Sequence, residues 1–200
     1  SQQNAVNTVD QNLQMVACAG SGKTTTIVSR ILNLLRQPDV EPKNIVAVTY
    51  SEKAAAALKQ KIYKEYEKSN SNLEGLADMY IGTIHGYCFY LLQNYSDDFK
   101  NYEVLQDVQT RLFMKRFRND IGIYEVQYNP KNGSPYPLVR QNMTNSKFQE
   151  ALSAYKTFLD IAREYGVEKL PVTLQKHVAK YESVLASKNK FDFTSIIVRT

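Results

Sequence analysis

The sequence has little cysteine, with two residues in 200. Cys18 and Cys88 stand far apart and neither belongs to a paired spacing, which excludes a disulfide framework and a thiolate metal knuckle and suits a reducing cytosol. No apolar run approaches the roughly 20 residues that cross a bilayer. The first residues are polar instead of basic and then apolar, so neither membrane attachment nor a signal peptide is expected. Internal repeats and low-complexity tracts are also missing, which leaves an ordinary globular organisation. An excess of acid is lacking too: 25 lysines and arginines face 20 aspartates and glutamates, a formal charge of +5. That mild excess permits a polyanionic partner without requiring one, since an ordinary basic surface gives the same balance.

What is present is enough apolar residue, 43%, for a packed core in one ordinary domain or two small ones. The first hundred residues alternate short apolar runs with helix-period segments, the pattern of parallel strands joined by crossover helices. Strands are expected over Leu13 to Ala17, Ile45 to Thr49 and Met79 to Thr83. Helices are expected over Gly22 to Arg36, Glu52 to Lys68 and Ile84 to Tyr95. Pro38 and Pro42 deny a continuing helix its hydrogen bonds and force a turn before the second strand. Beyond about Phe99 the pattern turns to long amphipathic stretches, near Val108 to Asn119, Ser146 to Tyr165 and Thr173 to Ser187. The stripe Phe148, Leu152, Tyr155 and Leu159 repeats at helical spacing. A connector over Asn129 to Pro137, rich in proline and carrying Asn132-Gly133, reads as a loop.

The most informative stretch is Ala17-Cys18-Ala19-Gly20-Ser21-Gly22-Lys23-Thr24, placed between an apolar run and a helix. A phosphate-binding loop needs that setting, because its N–H groups converge on an anion at the positive end of the helix. Gly20 and Gly22 let the backbone approach oxygen atoms that a side chain would block. Lys23 reaches the β and γ phosphates of ATP as a point charge, and the Thr24 hydroxyl ligates the Mg²⁺ that bridges them. Ala17 stands where the strict pattern has glycine, which a negative φ tolerates.

Together with four further segments in matching order, the loop resembles the UvrD/Rep/PcrA group of superfamily 1 helicases. Gln2-Gln3-Asn4-Ala5-Val6 is similar to the family's opening glutamine motif, which implies that Gln2 offers its amide to the adenine edge. Ala19 to Thr24 resembles motif I, including its alanine-led variant. Thr25 departs from the arginine that packs on adenine in many members. Val48-Thr49-Tyr50-Ser51-Glu52-Lys53-Ala54-Ala55 resembles motif Ia and implies that Thr49, Tyr50 and Lys53 contact DNA, the ring as a stacking face. Glu52 stands where the family has asparagine, and a carboxylate there repels phosphate. Gly82-Thr83-Ile84-His85 resembles a further DNA-contacting segment, with Thr83 and His85 as its contacts. Phe191-Asp192-Phe193 resembles the helix by which the family's chain returns from an inserted subdomain.

The resemblance therefore implies an α/β fold, a RecA-like P-loop sheet with helices plus an inserted, mainly helical subdomain. It places the nucleotide-binding subdomain 1A at residues 1–98, subdomain 1B at 99–188 and the return helix at 189–200. It implies an ATP-binding set of Gln2, Ala17, Cys18, Ala19, Gly20, Ser21, Gly22, Lys23, Thr24 and Thr25, with Lys23 and Thr24 as its catalytic members and Thr24 as the metal ligand. ATP and Mg²⁺ are the cofactors, and single-stranded DNA, with a duplex junction beside it, is the partner. A cytoplasmic monomer or weak dimer that unwinds DNA in repair or replication is expected, with ATP turnover dependent on acidic and later motifs beyond Thr200. Two other readings stay open. A P-loop ATPase or kinase shares the loop alone, and a catalytically dead module uses the fold only to bind nucleic acid. At single positions, Tyr50 also suits a core aromatic, and His85 a packed helix histidine.

Overall fold

The computed structural model of the chain describes residues 2–18, 20–68, 75–125 and 141–200; Ala19 and the expected connector over 129–137 lie outside the described residues. The described residues form a mainly helical α/β chain with two small parallel sheets. In order these are α1 (Gln2–Asn7), α2 (Lys23–Leu34), β1 (Val46–Thr49), α3 (Glu52–Lys68), β2 (Tyr80–Thr83) and α4 (Ile84–Tyr95). They continue as β3 (Glu103–Val104), α5 (Asp107–Arg116), α6 (Asn145–Tyr165), α7 (Val172–Ser187), β4 (Lys190–Phe191) and α8 (Phe193–Arg199). Two compact units divide within α4, between Tyr87 and Cys88.

In the first unit β1 and β2 run parallel, with Val46 opposite Tyr80 and Thr49 opposite Thr83. The intervening α3 is the crossover that a parallel pair requires. Apolar residues at spacings of three and four make the packing faces: Val28 and Ile31 from α2 with Leu35 capping its end, and Leu58 and Ile62 from α3. Both faces close over Ala47 of β1 and Met79. Ile62 is fully buried, which stabilises the unit by about 1.5–3 kcal/mol. The charged residues around these α3 positions, Lys59, Lys61, Lys64 and Glu65, are exposed. The six-residue α1 is too short to hold itself together. The Arg30 guanidinium ties it to α2 by donating to the carbonyls of Ala5 and Thr8, and Asn33 Nδ2 donates to the Val6 carbonyl at 3.0 Å.

The expected strand over Leu13 to Ala17 does not form. These residues carry no regular secondary structure and no ladder, and Val16 is 92% exposed. A strand exists only where a neighbour accepts and donates its backbone hydrogen bonds, and β1 pairs with β2 instead. The loop therefore joins an irregular segment, not a strand, to α2. The helices stand close to expectation. α3 and α4 begin and end where the pattern places them, and α2 ends at Leu34, ahead of Pro38.

The second unit is built on α6 and α7. Leu152, Tyr155 and Leu159 of α6 are wholly buried against Val178, Tyr181 and Leu185 of α7, with Phe113 and Met114 of α5 closing the cluster. Phe148 packs at its edge. A two-residue parallel pairing of β3 with β4 brings Phe191 beneath Phe99 and Tyr102, whose ring centroids lie 5.2 and 4.6 Å away. Aromatic pairs in this range add about 0.5–1.5 kcal/mol beyond their burial. Among the described residues no helix is long and apolar enough to cross a membrane.

Candidate nucleotide and nucleic-acid site

The residues expected to hold ATP gather at the N-terminus of α2. Gly20 and Gly22 adopt φ of +78° and +82°, a left-handed conformation that favours glycine, and Gly22 is the residue from which α2 starts. The first turn of α2 holds Lys23, Thr24 and Thr25, with Thr24 and Thr25 exposed. Lys23 folds back over the loop. Its ammonium donates to the carbonyls of Ala17 at 2.7 Å and Cys18 at 2.6 Å. The Cys18 carbonyl also accepts from the Ser21 hydroxyl at 2.7 Å. The loop is thus drawn around one cation, and the helix end adds its partial positive charge beside it.

Gln2 joins this group from α1. Its Nε2 donates to the Ser21 carbonyl at 2.5 Å and would lie 3.2 Å from a Cβ added to Gly22. A side chain at position 22 would meet both an unfavourable φ and this amide. A cleft of about 390 Å³ opens beside Gln2, Ala17, Ser21, Lys23 and Thr26. The donor set suits a phosphate chain: a lysine, a helix N-terminus and two glycines without Cβ atoms. For Mg²⁺ the exposed Thr24 hydroxyl is the expected protein ligand, and among the described residues no cluster of three acidic, histidine or cysteine side chains stands ready to hold a metal ion. A cation here would take its other ligands from phosphate oxygens and water. Ala19 lies outside the described residues.

The residues expected to touch DNA come together at the carboxyl ends of β1 and β2. Thr49 and Thr83 are the last residues of the two strands and register partners across them. Each strand turns directly into a helix. The Ser51 hydroxyl accepts from the Ala54 N–H at 3.3 Å at the start of α3, and the Thr83 hydroxyl accepts from the Gly86 N–H at 3.1 Å at the start of α4. These are N-cap bonds of the kind serine and threonine favour. Tyr50 sits on the first of these turns with 101% relative exposure, so its ring belongs to no core. Lys53 and His85 are likewise exposed, each in the first turn of its helix.

Two further residues complete this platform: Glu52, which reads from the sequence only as a carboxylate out of place near phosphate, and Tyr80, which was not singled out. Glu52 Oε1 accepts from the Thr83 hydroxyl at 2.9 Å, linking the start of α3 to the end of β2. The phenol of Tyr80 lies over the backbone of the turn, where a Cβ on Gly82 would fall 2.5 Å from its hydroxyl and one on Gly86 2.6 Å. Two glycines spaced around Thr83 were the available signal for a ring lying there.

With this geometry in place, comparison with known proteins decides the family. The model of the UvrD/REP helicase N-terminal domain matches residues 1–200. The chain belongs to that family. Membership implies a RecA-like P-loop fold. Among its relatives, ATP-dependent DNA helicase PcrA of Bacillus subtilis (strain 168) is 27% identical over 202 residues, 100% of this chain and 25% of the relative. DNA helicase II of Escherichia coli (strain K12) is 27% identical over 201 residues, 99% of this chain and 25% of the relative. A probable DNA helicase of Mycoplasma pneumoniae is 26% identical over 214 residues, 100% of this chain and 36% of the relative. The chain thus spans about a quarter to a third of the length of these relatives.

Proposed function

We propose that the chain is the N-terminal part of an ATP-dependent DNA helicase or translocase, which grips ATP with its loop and single-stranded DNA on its strand ends. The observation that supports this reading is the presence, in one compact unit, of a glycine-bent loop closed around Lys23 and of a platform with an exposed aromatic ring. Gln2, Ala17, Cys18, Ala19, Gly20, Ser21, Gly22 and Thr25 surround the nucleotide. Lys23 exchanges its two carbonyl partners for β and γ phosphate oxygens, which as charged acceptors make the stronger bonds. Bound Mg²⁺ supplies charge neutralisation between the phosphates, with the Thr24 hydroxyl as its protein ligand here. Tyr50 stacks on a base, while Thr49, Lys53, Thr83 and His85 line the strand's path.

In this reading residues 1–98 serve as subdomain 1A, 99–188 as subdomain 1B, and 189–200 as the return towards 1A. The protein works in the cytoplasm as a monomer or weak dimer, on single-stranded DNA beside a duplex junction, in repair or replication. Unwinding belongs to the longer protein whose relatives carry the helicase names.

Titration of the chain with a fluorescent ATP analogue in the presence of Mg²⁺ tests the nucleotide half. Lys23→Ala removes one charge-assisted contact, about 1.5–3 kcal/mol, so affinity should fall roughly ten- to a hundredfold. An unchanged Kd would overturn the role given to Lys23 and the loop.

A further inference from the structure

The hydroxyl groups at the strand ends are already engaged. A threonine hydroxyl has one proton to donate. That of Thr83 goes to Glu52 Oε1 at 2.9 Å, and that of Thr49 to the Ser51 carbonyl at 3.0 Å. The Thr83 oxygen also accepts from the Gly86 N–H at 3.1 Å. The exposed Glu52 carboxylate stands at the first position of α3, where the helix end favours a negative charge and where a phosphate would otherwise settle. An incoming phosphate at this point meets a carboxylate in its place and finds the hydroxyl protons of Thr49 and Thr83 already donated. The neighbouring Tyr50 ring, fully exposed, offers a face that takes any base.

We propose that Glu52 is a specificity-determining residue of this platform: it turns backbone phosphate away from the ends of β1 and β2, so that a single strand is held there through a base stacked on Tyr50. The proposal rests on the platform's being a nucleic-acid surface. It adds that the grip at this point is on the base and only weakly dependent on salt, because binding through bases releases fewer counterions than binding through phosphates.

Glu52→Gln separates charge from hydrogen bonding, because the amide oxygen still accepts from Thr83. In titrations of the chain with a fluorescent oligothymidylate, the variant should bind roughly tenfold more tightly at low ionic strength, as expected when a like charge a few ångströms from a phosphate is removed. The gain should vanish near about 1 M salt, where the screening length shrinks to about 3 Å. A purely structural Glu52 gives another pattern: unchanged binding in Glu52→Gln at every salt concentration and weaker binding in Glu52→Ala. That result would overturn the proposal. The same titration of Tyr50→Ala distinguishes the two levels. Tyr50-dependent binding with no effect of Glu52→Gln removes the role of Glu52 alone, whereas binding that is absent or indifferent to Tyr50 removes the platform and the proposal with it.

Discussion

Arg163 and Asp192 form a buried, two-pronged ion pair, with Nη1 donating to Oδ1 at 3.0 Å and Nη2 to Oδ2 at 2.8 Å. Their residues are only 4% and 1% exposed. Arg163 lies on α6 and Asp192 caps α8, where Oδ1 also accepts from the Ser195 N–H at 2.8 Å. Further anions complete the guanidinium's shell: Asp160 at 2.7 Å and Glu182 of α7 at 2.7 Å. The Tyr181 hydroxyl donates to Asp192 Oδ2 at 2.8 Å. One cation thereby joins three helices, and the planar fork is what lets it hold so many partners in fixed directions.

Removing that cation should destabilise the second unit strongly. Arg163→Met leaves Asp192 buried without its counter-charge, a change that costs about 3–5 kcal/mol. Urea denaturation followed by circular dichroism should show the unit's transition at markedly lower denaturant. Arg163→Lys should recover only part of the loss, since an ammonium cannot span both carboxylate oxygens. A midpoint unchanged in Arg163→Met would mean that the network contributes nothing net.

The same pair sets a pH dependence. Burial alone would push the Asp192 carboxyl up. The opposing pull of the Arg163 charge and hydrogen bonds, the Ser195 N–H and the Tyr181 hydroxyl brings it below its ordinary value. A carboxyl lowered in the folded state stabilises fully above its unfolded value, about 3.9, and loses that contribution as pH falls through the folded value. Stability should therefore be indifferent to this group from neutrality down to about pH 4 and decline below it. Asp192→Asn should be less stable at neutral pH and show a shallower acid limb. Parallel acid limbs in the two proteins would assign the decline to other carboxyls.

How much of this was open to reading from the sequence depends on the range of the interactions. The α3 helix and its packing face follow from spacing alone, because Leu58 and Ile62 recur where a helix presents one side, and the structure bounds it at Glu52–Lys68. The loop before α2 is nearly as local: Gly20 and Gly22 bend it, and Lys23 closes it onto the carbonyls of Ala17 and Cys18 a few residues back. The run Leu13 to Ala17 is apolar enough for a strand, but whether it becomes one depends on a partner that local pattern cannot supply. Arg163 was illegible for a similar reason. Between Asp160 and Glu164 it looks like one more charge on a solvated helix face, and its burial comes from Glu182 and Asp192, far along the chain. Glu52 was visible as a misfit near phosphate, yet its hold on Thr83 required both strand ends to be placed side by side.

Gly82 should tolerate no side chain while Tyr80 is present. An added Cβ would fall 2.5, 2.8 and 2.9 Å from three atoms of the phenol, whose ring is also packed 4.9 Å from that of Tyr87. Overpacking of this kind costs about 1–3 kcal/mol. Gly82→Ala should lower the thermal midpoint of the first unit, and most of that cost should disappear when it is combined with Tyr80→Ala. Additive effects of the two substitutions would show that the ring is not what glycine accommodates.

Tyr50 separates a binding role from a structural one most cleanly, because its ring makes no core contact to lose. At 101% exposure its truncation should change stability by no more than about 0.5 kcal/mol. If the platform holds a base, Tyr50→Ala should weaken oligonucleotide binding by about 1–3 kcal/mol, while Tyr50→Phe, which keeps the face and drops the hydroxyl, should retain most of the affinity. Fluorescence anisotropy with a short single strand, read beside thermal denaturation, gives both quantities for each variant. Equal losses in Tyr50→Ala and Tyr50→Phe would point to the hydroxyl and away from stacking. A stable, fully binding Tyr50→Ala would leave the exposed ring without a nucleic-acid role.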